Sequence, residues 1–322
     1  MGGSGTDVSG EWMKTYLVTG GCGFIGSHLT DALLRRGHAV RVLDDLSTGH
    51  AANLADSVQL LRGDAADPAA LRAALDGVDG CFHLAAIASV ERGVTDWLAT
   101  HRTNLGATVA IFDEIRRAGT RIPVVYASSA AVYGNCTALP IGEATPARPL
   151  SSYGADKLGC ELHAAVATGV HGIPTVGLRF FNVYGPRQDP ASPYSGVISI
   201  FCDRLLRRQQ VEIYGDGRQT RDFIYVADAV AAMVRAMEVS PPGAPVFNVC
   251  TGRPTAVRDL VGVIADLSGA PAEIAHRPAR CGDIRDSVGS PDLALKALGL
   301  PETVGLREGL AQVLRWLGES RI

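Results

Sequence analysis

Lysine is nearly absent from this chain. Only Lys14, Lys157 and Lys296 occur in 322 residues, so its basic character is written in arginine. No apolar run reaches the roughly 18–20 residues a membrane-spanning helix needs. The first twelve residues, Met1 to Trp12, lack both a basic n-region and an apolar h-region, and read as a disordered Gly/Ser-rich leader rather than a signal peptide. No CxxC or Cys/His spacing points to zinc, and no metal site is expected. The seven cysteines are scattered and odd in number, which argues against a disulfide framework and favours a reducing cytoplasm. A net charge of -3 gives no electrostatic case for a nucleic-acid partner.

Against that background one of the three lysines stands in a telling place. Tyr153 and Lys157 are four apart in Ser151-Ser152-Tyr153-Gly154-Ala155-Asp156-Lys157. On a helix both side chains share one face. A Lys ammonium beside a phenol favours the phenolate and makes a general base of an otherwise inert group. Ser128-Ser129 lies some two dozen residues earlier. A Ser hydroxyl there suits the holding of a substrate oxygen that loses its proton. Alone, this spacing also fits an ordinary surface helix.

The front half alternates strand and helix. Strands are expected at Thr15–Val18, Ala39–Leu43, Leu60-Leu61, Gly80–Leu84 and Pro123–Tyr126. Helices are expected from Phe24 to Gly37, around Pro68–Leu75 and over Trp97–Arg117. Short βα connections predict a Rossmann-type α/β fold, a doubly wound parallel sheet covered on both faces, with a smaller, discontinuous α/β substrate domain. Gly20-Gly21-Cys22-Gly23-Phe24-Ile25-Gly26 joins the first strand to the first helix. Glycine is needed where the chain turns tightly and where backbone must approach a pyrophosphate. Free N–H groups at the helix start then face the phosphates. Asp44 ends the second strand at close to the offset at which a carboxylate holds the ribose hydroxyls of NAD. With Asp45 it would repel a 2′-phosphate, so NAD is preferred to NADP. Asp64 is placed for the adenine edge, and the small residues of His83-Leu84-Ala85-Ala86, Ala85 among them, let the cofactor lie close to backbone.

The glycine spacing, Ser129-Ala130-Ala131-Val132-Tyr133-Gly134 and YxxxK together resemble the extended short-chain dehydrogenase/reductase family. Later segments narrow the likeness to its UDP-glucose/UDP-N-acetylglucosamine 4-epimerases: Leu178-Arg179-Phe180-Phe181-Asn182-Val183-Tyr184-Gly185-Pro186-Arg187-Gln188, Gly215-Asp216-Gly217-Arg218-Gln219-Thr220-Arg221-Asp222, and Arg280-Cys281-Gly282-Asp283. The resemblance runs from about Lys14 to the C-terminus. It implies Ser129, Tyr153 and Lys157 as the catalytic set, Asn182 as a substrate contact, and Arg221 and Arg280 as grips on the diphosphate. It implies a reaction in which Tyr153 takes the proton of the sugar O4 while C4 gives hydride to NAD, after which the 4-keto sugar turns over and the hydride returns to its other face.

Dehydratases of the same family resemble Thr-Asp-Glu-Val-Tyr-Gly after the catalytic Ser/Thr, and decarboxylases keep the Glu. Here two alanines stand there, and alanine cannot move a proton from C5. A dehydratase or reductase on the same scaffold is the alternative. A non-catalytic NAD-sensing protein would have lost the catalytic residues, and all three are present. By resemblance, the position four after Asp283 shapes the space beside the sugar. It is Ser287, which is small. Ser89, Gln188, Val197 and Ser287 resemble the N-acetylhexosamine enzymes, so room for an N-acetyl group or a C6 carboxylate is expected. Ala88 departs from a Lys of the glucose-specific enzymes. Ala191 supplies no cation for a uronate, which leaves Arg187 or Arg285 for that role.

After Asn182 the alternation breaks. Phe223–Val226 and a helix over Asp228–Met237 read as a return to the first domain, with Val246–Cys250 one more of its strands. A further helix is expected to start with Thr255 as its cap. The expected division is 13–181 plus 223–250 for NAD and 182–222 plus 251–322 for the nucleotide sugar, with substrate in the cleft between. Members of the family pair through two helices per subunit, which makes a homodimer through Trp97–Arg117 and Ser152–Ala167 the expectation. Leu98, Leu105, Val109 and Phe112 could serve either core or interface.

Overall fold

A computed structural model describes residues 13–88, 90–192, 196–279 and 284–319. Along the chain the strands are β1 (Thr15–Thr19), β2 (Ala39–Asp44), β3 (Gln59–Arg62), β4 (Gly80–His83), β5 (Val124–Ser129), β6 (Thr175–Phe180), β7 (Asn182–Tyr184), β8 (Val211–Tyr214), β9 (Thr220–Tyr225), β10 (Val246–Val249), β11 (Pro254–Ala256), β12 (Ile274–Arg277) and β13 (Asp286–Ser287). The helices are α1 (Phe24–Arg35), α2 (Pro68–Leu75), α3 (Val90–Thr95), α4 (Trp97–His101), α5 (Ala107–Arg117), α6 (Ser152–His171), α7 (Val197–Leu206), α8 (Val226–Val239), α9 (Val257–Ser268), α10 (Asp292–Leu298) and α11 (Leu306–Glu319).

Seven strands form one sheet in the order β10-β6-β5-β4-β1-β2-β3, and every neighbouring pair is parallel. Parallel strands covered on both faces read as near-continuous apolar runs. That is why Leu17, Val18, Phe82, Val124 and Val125 are all buried. Strand order reverses at β1, which lies between β2 and β4. Open α/β sheets bind ligands at such a switch point, beyond the carboxyl ends of the strands.

Helix α1 lays Leu29 and Leu33 on the sheet and packs against α8. Helix α6 is opened by Ser151, whose Oγ accepts the Gly154 N–H at 3.1 Å, and is closed by Gly172 in the left-handed region at φ 66°. A second apolar core gathers β8, α7, α9 and α11 around Phe201, Ile213, Leu260 and Val313.

Three local expectations change. Phe223–Tyr225 does not rejoin the large sheet, because β9 pairs with β7, β11 and β13 in a separate four-stranded sheet. Helix α8 and strand β10 do return, on α1 and β6 respectively, and α10, expected in the sugar unit, joins them by burying Ala294 and Leu298 in the same core. Thr255 caps no helix. It is held in β11 opposite Arg221, and α9 starts from Ala256 without a side-chain cap. The long helix expected over Trp97–Arg117 is α4 and α5 joined by a π-helical stretch, Arg102–Gly106. Such bulges often mark function, and this one carries Asn104, whose amide bonds both the N–H and the C=O of Ile87.

Candidate active site

Each site element follows the end of a parallel strand. Gly20 follows β1, Asp44 ends β2, Ala85 follows β4, Ser129 ends β5, and Asn182 follows β6. They border one cleft of about 570 Å³.

The glycines are required by geometry. Gly20 has φ 70°, and a Cβ there would stand 2.7 Å from the Ala85 nitrogen. A Cβ on Gly26 would overlap the Gly20 carbonyl oxygen. The turn is thus packed directly under the tail of β4. Gly23 starts α1 and offers no side-chain cap, so the first-turn N–H groups await an external acceptor, the arrangement that binds phosphate. Gly20, Gly23, Phe24, Ile25 and Gly26 all border the cleft.

Asp44 is buried beside that turn. Its carboxylate accepts the N–H of Cys22 and the N–H of Leu46, each at 2.9 Å. Burial, reinforced by Asp45, pushes its carboxyl above the ordinary value. The Cys22 thiol beneath is driven up to about 12 by burial and by Asp44, which makes it inert packing. Asp64 also borders the cleft, but one oxygen caps the Ala66 N–H and the other receives Arg102 Nη2 at 2.7 Å. An uncovered phosphate cradle and a carboxylate at the second strand's end fit a dinucleotide. Gly20, Gly23, Gly26 and Asp44 would hold it.

The catalytic candidates converge. Lys157 is buried, and its Nζ lies 5.9 Å from the centre of the Tyr153 ring while donating to the Ala127 carbonyl at 2.8 Å. Ala127 precedes Ser128 and Ser129 on β5, so α6 and β5 are joined at the site itself. Ser129 Oγ accepts the Ala131 N–H at 3.2 Å. Among the described residues its own proton has no acceptor. Ser128 is committed elsewhere: its hydroxyl donates to Glu161 at 2.5 Å, and Glu161 in turn pairs with the buried Arg179 at 2.7 Å. Among the described cleft residues the carboxylates are Asp44, Asp45, Asp64 and Asp189, and Ala130 and Ala131 occupy the turn after Ser129.

The expected substrate residues divide. Asn182 and Gln188 border the cleft. Val197 opens α7, one residue past Gly196 at the cleft edge, and is not part of the wall. Arg221 and Ser287 are register partners on β9 and β13. They lie outside the wall, where Arg221 donates to the carbonyls of Thr220 and Arg285. Ser89 and Arg280 fall outside the described residues. Arg92 and Arg187 also border the cleft. Arg92 carried no sequence signal, and Arg187 is tied to Asp31 of α1 at 2.8 Å.

Residues 16–250 match the NAD dependent epimerase/dehydratase family. The UDP-glucose 4-epimerase of Mycolicibacterium smegmatis is 39% identical over 315 residues, covering 94% of this chain and 98% of that one. The solved UDP-glucose 4-epimerase of Thermotoga maritima, with UDP-glucose, superposes at a TM-score of 0.91 with 34% identity over 96% of this chain and all of that one. The UDP-N-acetylglucosamine 4-epimerase of Methanobrevibacter ruminantium, in complex with UDP-N-acetylmuramic acid, does so at 0.91 and 34%, over 96% and 99%. With a glycine cradle, a ribose-placed carboxylate and the Ser129, Tyr153 and Lys157 set already in one cleft, the chain belongs to the NAD-dependent epimerase/dehydratase family.

Proposed function

We propose that this protein is an NAD-dependent 4-epimerase of a UDP-sugar, acting through a transient 4-keto sugar. The observation that carries the reading is the convergence of Tyr153, Lys157 and Ser129 on one cleft whose post-serine turn bears alanines in place of acids.

NAD, held by Gly20, Gly23, Gly26 and Asp44, would supply a reversible hydride acceptor for C4. The chain's own residues handle the proton and the orientation. Tyr153 accepts the O4 proton and later returns it. Lys157 is fixed by the Ala127 carbonyl and sets its ammonium 5.9 Å from the centre of the Tyr153 ring, where it is placed to stabilise negative charge that develops during proton transfer. Ser129 donates its hydroxyl to O4, since its oxygen already accepts from Ala131. Asn182 and Gln188 contact the sugar from the cleft wall, and the family resemblance assigns the diphosphate to Arg221, which lies beyond that wall, and to Arg280. The substrate lies between the large-sheet unit, 13–181 plus 226–250 with α10 packed on it, and the unit built from the rest of 182–225 and 251–322.

Ser287 is small and, like its register partner Arg221, lies outside the cleft wall, so it puts no bulk against the sugar, and UDP-N-acetylglucosamine or UDP-glucuronate is accepted alongside UDP-glucose. Proton NMR of separate incubations with the three sugars tests both claims. Inversion at C4 without net NADH is expected, and appearance of a 5,6-ene or a pentose would overturn the epimerase reading. Strong preference for UDP-glucose over both larger sugars would overturn the size argument alone.

The protein acts as a homodimer. Trp97 and Leu98 on α4, with Leu162, Val166 and Val170 on α6, are all exposed, from 51% to 80%. Apolar side chains concentrated on two neighbouring helices suit a four-helix interface. Phe112 belongs to the core and Leu98 to this face. The six described cysteines are free, in keeping with a cytoplasmic enzyme. No described helix is long and apolar enough to cross a membrane.

A further inference from the structure

His83, the last residue of β4, is buried and bonded at both ring nitrogens. Nδ1 lies 2.7 Å from Thr19 Oγ1 and Nε2 lies 3.0 Å from Thr108 Oγ1. The direction of each bond follows from the far end. Thr108 Oγ1 stands 2.9 Å from the Asn104 carbonyl, and a carbonyl only accepts, so the Thr108 proton is spent there. Nε2 must then carry the ring proton and donate to Thr108. The Cys160 sulfur lies 3.1 Å from the same oxygen and its thiol donates to the Asn104 carbonyl at 3.6 Å. Nδ1 is therefore bare and accepts the Thr19 proton. Thr19 Oγ1 is left to accept, and it takes the Ala85 N–H at 3.3 Å and shares that of Leu84 at 3.2 Å.

This chain of bonds runs one way from the β4 tail, through Thr19, His83 and Thr108, to the π-helical stretch. There Asn104 closes the loop. Its carboxamide accepts the Ile87 N–H at 2.8 Å and donates to the Ile87 carbonyl at 3.2 Å. Residues 84–87 are thus gripped at both ends by buried groups, and Leu84, Ala85 and Ile87 border the cleft against the glycine turn. Burial and the charge of Lys157 push His83 down to about 3, which keeps the ring neutral and the chain intact.

We propose that His83, with Thr19, Thr108 and Asn104, is a positioning device that holds the 84–87 segment in its cofactor-receiving conformation and thereby sets how tightly NAD is retained. None of the four is a catalytic residue. The inference concerns NAD alone and does not depend on which sugar is turned over.

The test is NAD retention in Thr19→Val and Thr108→Val, near-isosteric changes that each break the chain. Thr19→Ser restores the hydroxyl. Thr175→Val is the control, since its hydroxyl is equally buried but serves the Ala164 carbonyl and Thr168, in α6. NAD carried through purification should fall, and its dissociation constant rise about tenfold or more, in both chain-breaking variants. Thr19→Ser and Thr175→Val should resemble wild type. Added NAD should restore kcat with the sugar KM unchanged. Unaltered NAD content in both variants, or an equal loss in the Thr175→Val control, overturns the proposal. Hydrogen exchange on NAD-free wild type provides a measurement that needs no variant to fold. The Ala85 and Ile87 amides should be protected, and rapid exchange at both overturns the device.

Discussion

The ammonium of Lys157 stands 5.9 Å from the centre of the Tyr153 ring and is held there by the carbonyl of Ala127 at 2.8 Å. Helix α6 supplies both side chains, and β5 supplies the anchor one residue before the serine pair. The proton acceptor, its charged neighbour and the hydroxyl donor are therefore set by one helix–strand contact. Removing the phenolic oxygen should abolish proton transfer without disturbing this contact. Tyr153→Phe is expected to lower kcat by about 10²–10⁴-fold with NAD content preserved. NMR-monitored turnover checks it, and near-normal activity would require a different base.

Asp44 joins the end of β2 to the glycine turn by accepting the Cys22 N–H, while its other oxygen accepts the Leu46 N–H. Asp44→Asn sets an amide donor against one of these donors. The expected penalty is about 1–3 kcal/mol, read as weaker NAD binding by titration calorimetry. NAD affinity unchanged in this variant would remove Asp44 from the cofactor site.

The chain's pattern made the large sheet legible. Short apolar runs located the strands from β1 to β5, with glycine or aspartate closing the first three, and the glycine spacing located the cofactor turn. What the pattern did not carry was pairing between distant segments. Phe223–Tyr225 is as apolar as any strand of the large sheet, and only its partners β7, β11 and β13 distinguish it. Thr255 looked like a cap because cap and strand positions share residue preferences, and a ladder opposite Arg221 decided between them. The π-helical stretch is likewise invisible to periodicity. A single inward Asn104 that satisfies Ile87 is a tertiary fact.

Acid stability should report His83. Its ordinary value of 6.5 is pushed to about 3 in the folded protein by burial and by Lys157. The unfolded chain therefore binds a proton that the folded chain refuses between those two values. Stability is full above about pH 6.5 and falls as pH drops through this window, at up to about 1.4 kcal/mol per pH unit from this one group. Thermal melts between pH 4 and 8 should show the slope, and it should be shallower in His83→Asn. An equal slope in both proteins would mean that His83 titrates normally.

Glu161 sits one turn beyond Lys157 on α6. It accepts the Ser128 hydroxyl and pairs bidentately with Arg179 Nε and Nη2, at 2.9 and 2.7 Å. Arg179 also donates to the Tyr133 hydroxyl, 2.8 Å away, and that hydroxyl donates to Asn248 at 2.6 Å. The network thus locks the serine-bearing end of β5 to β6, β10 and α6. Removing one partner of a buried pair strands the other charge in a low-dielectric interior, at a penalty of about 3–5 kcal/mol. Glu161→Ala should lower the melting temperature accordingly. Glu161→Gln, which keeps an acceptor for Ser128, should lose less.

The exposed apolar side chains of α4 and α6 lead to a prediction about assembly. Leu98 is 80% exposed and Leu162 is 63% exposed, and neither supports the core of its own chain. A charge at either position therefore leaves the monomer fold intact but must be desolvated in a dimer that buries this face. Leu98→Glu combined with Leu162→Glu should shift the mass measured by light scattering from two chains to one, with circular dichroism unchanged. Retention of the dimer in that double variant would place the interface elsewhere, because two buried unpaired carboxylates per subunit are incompatible with a close-packed helical contact.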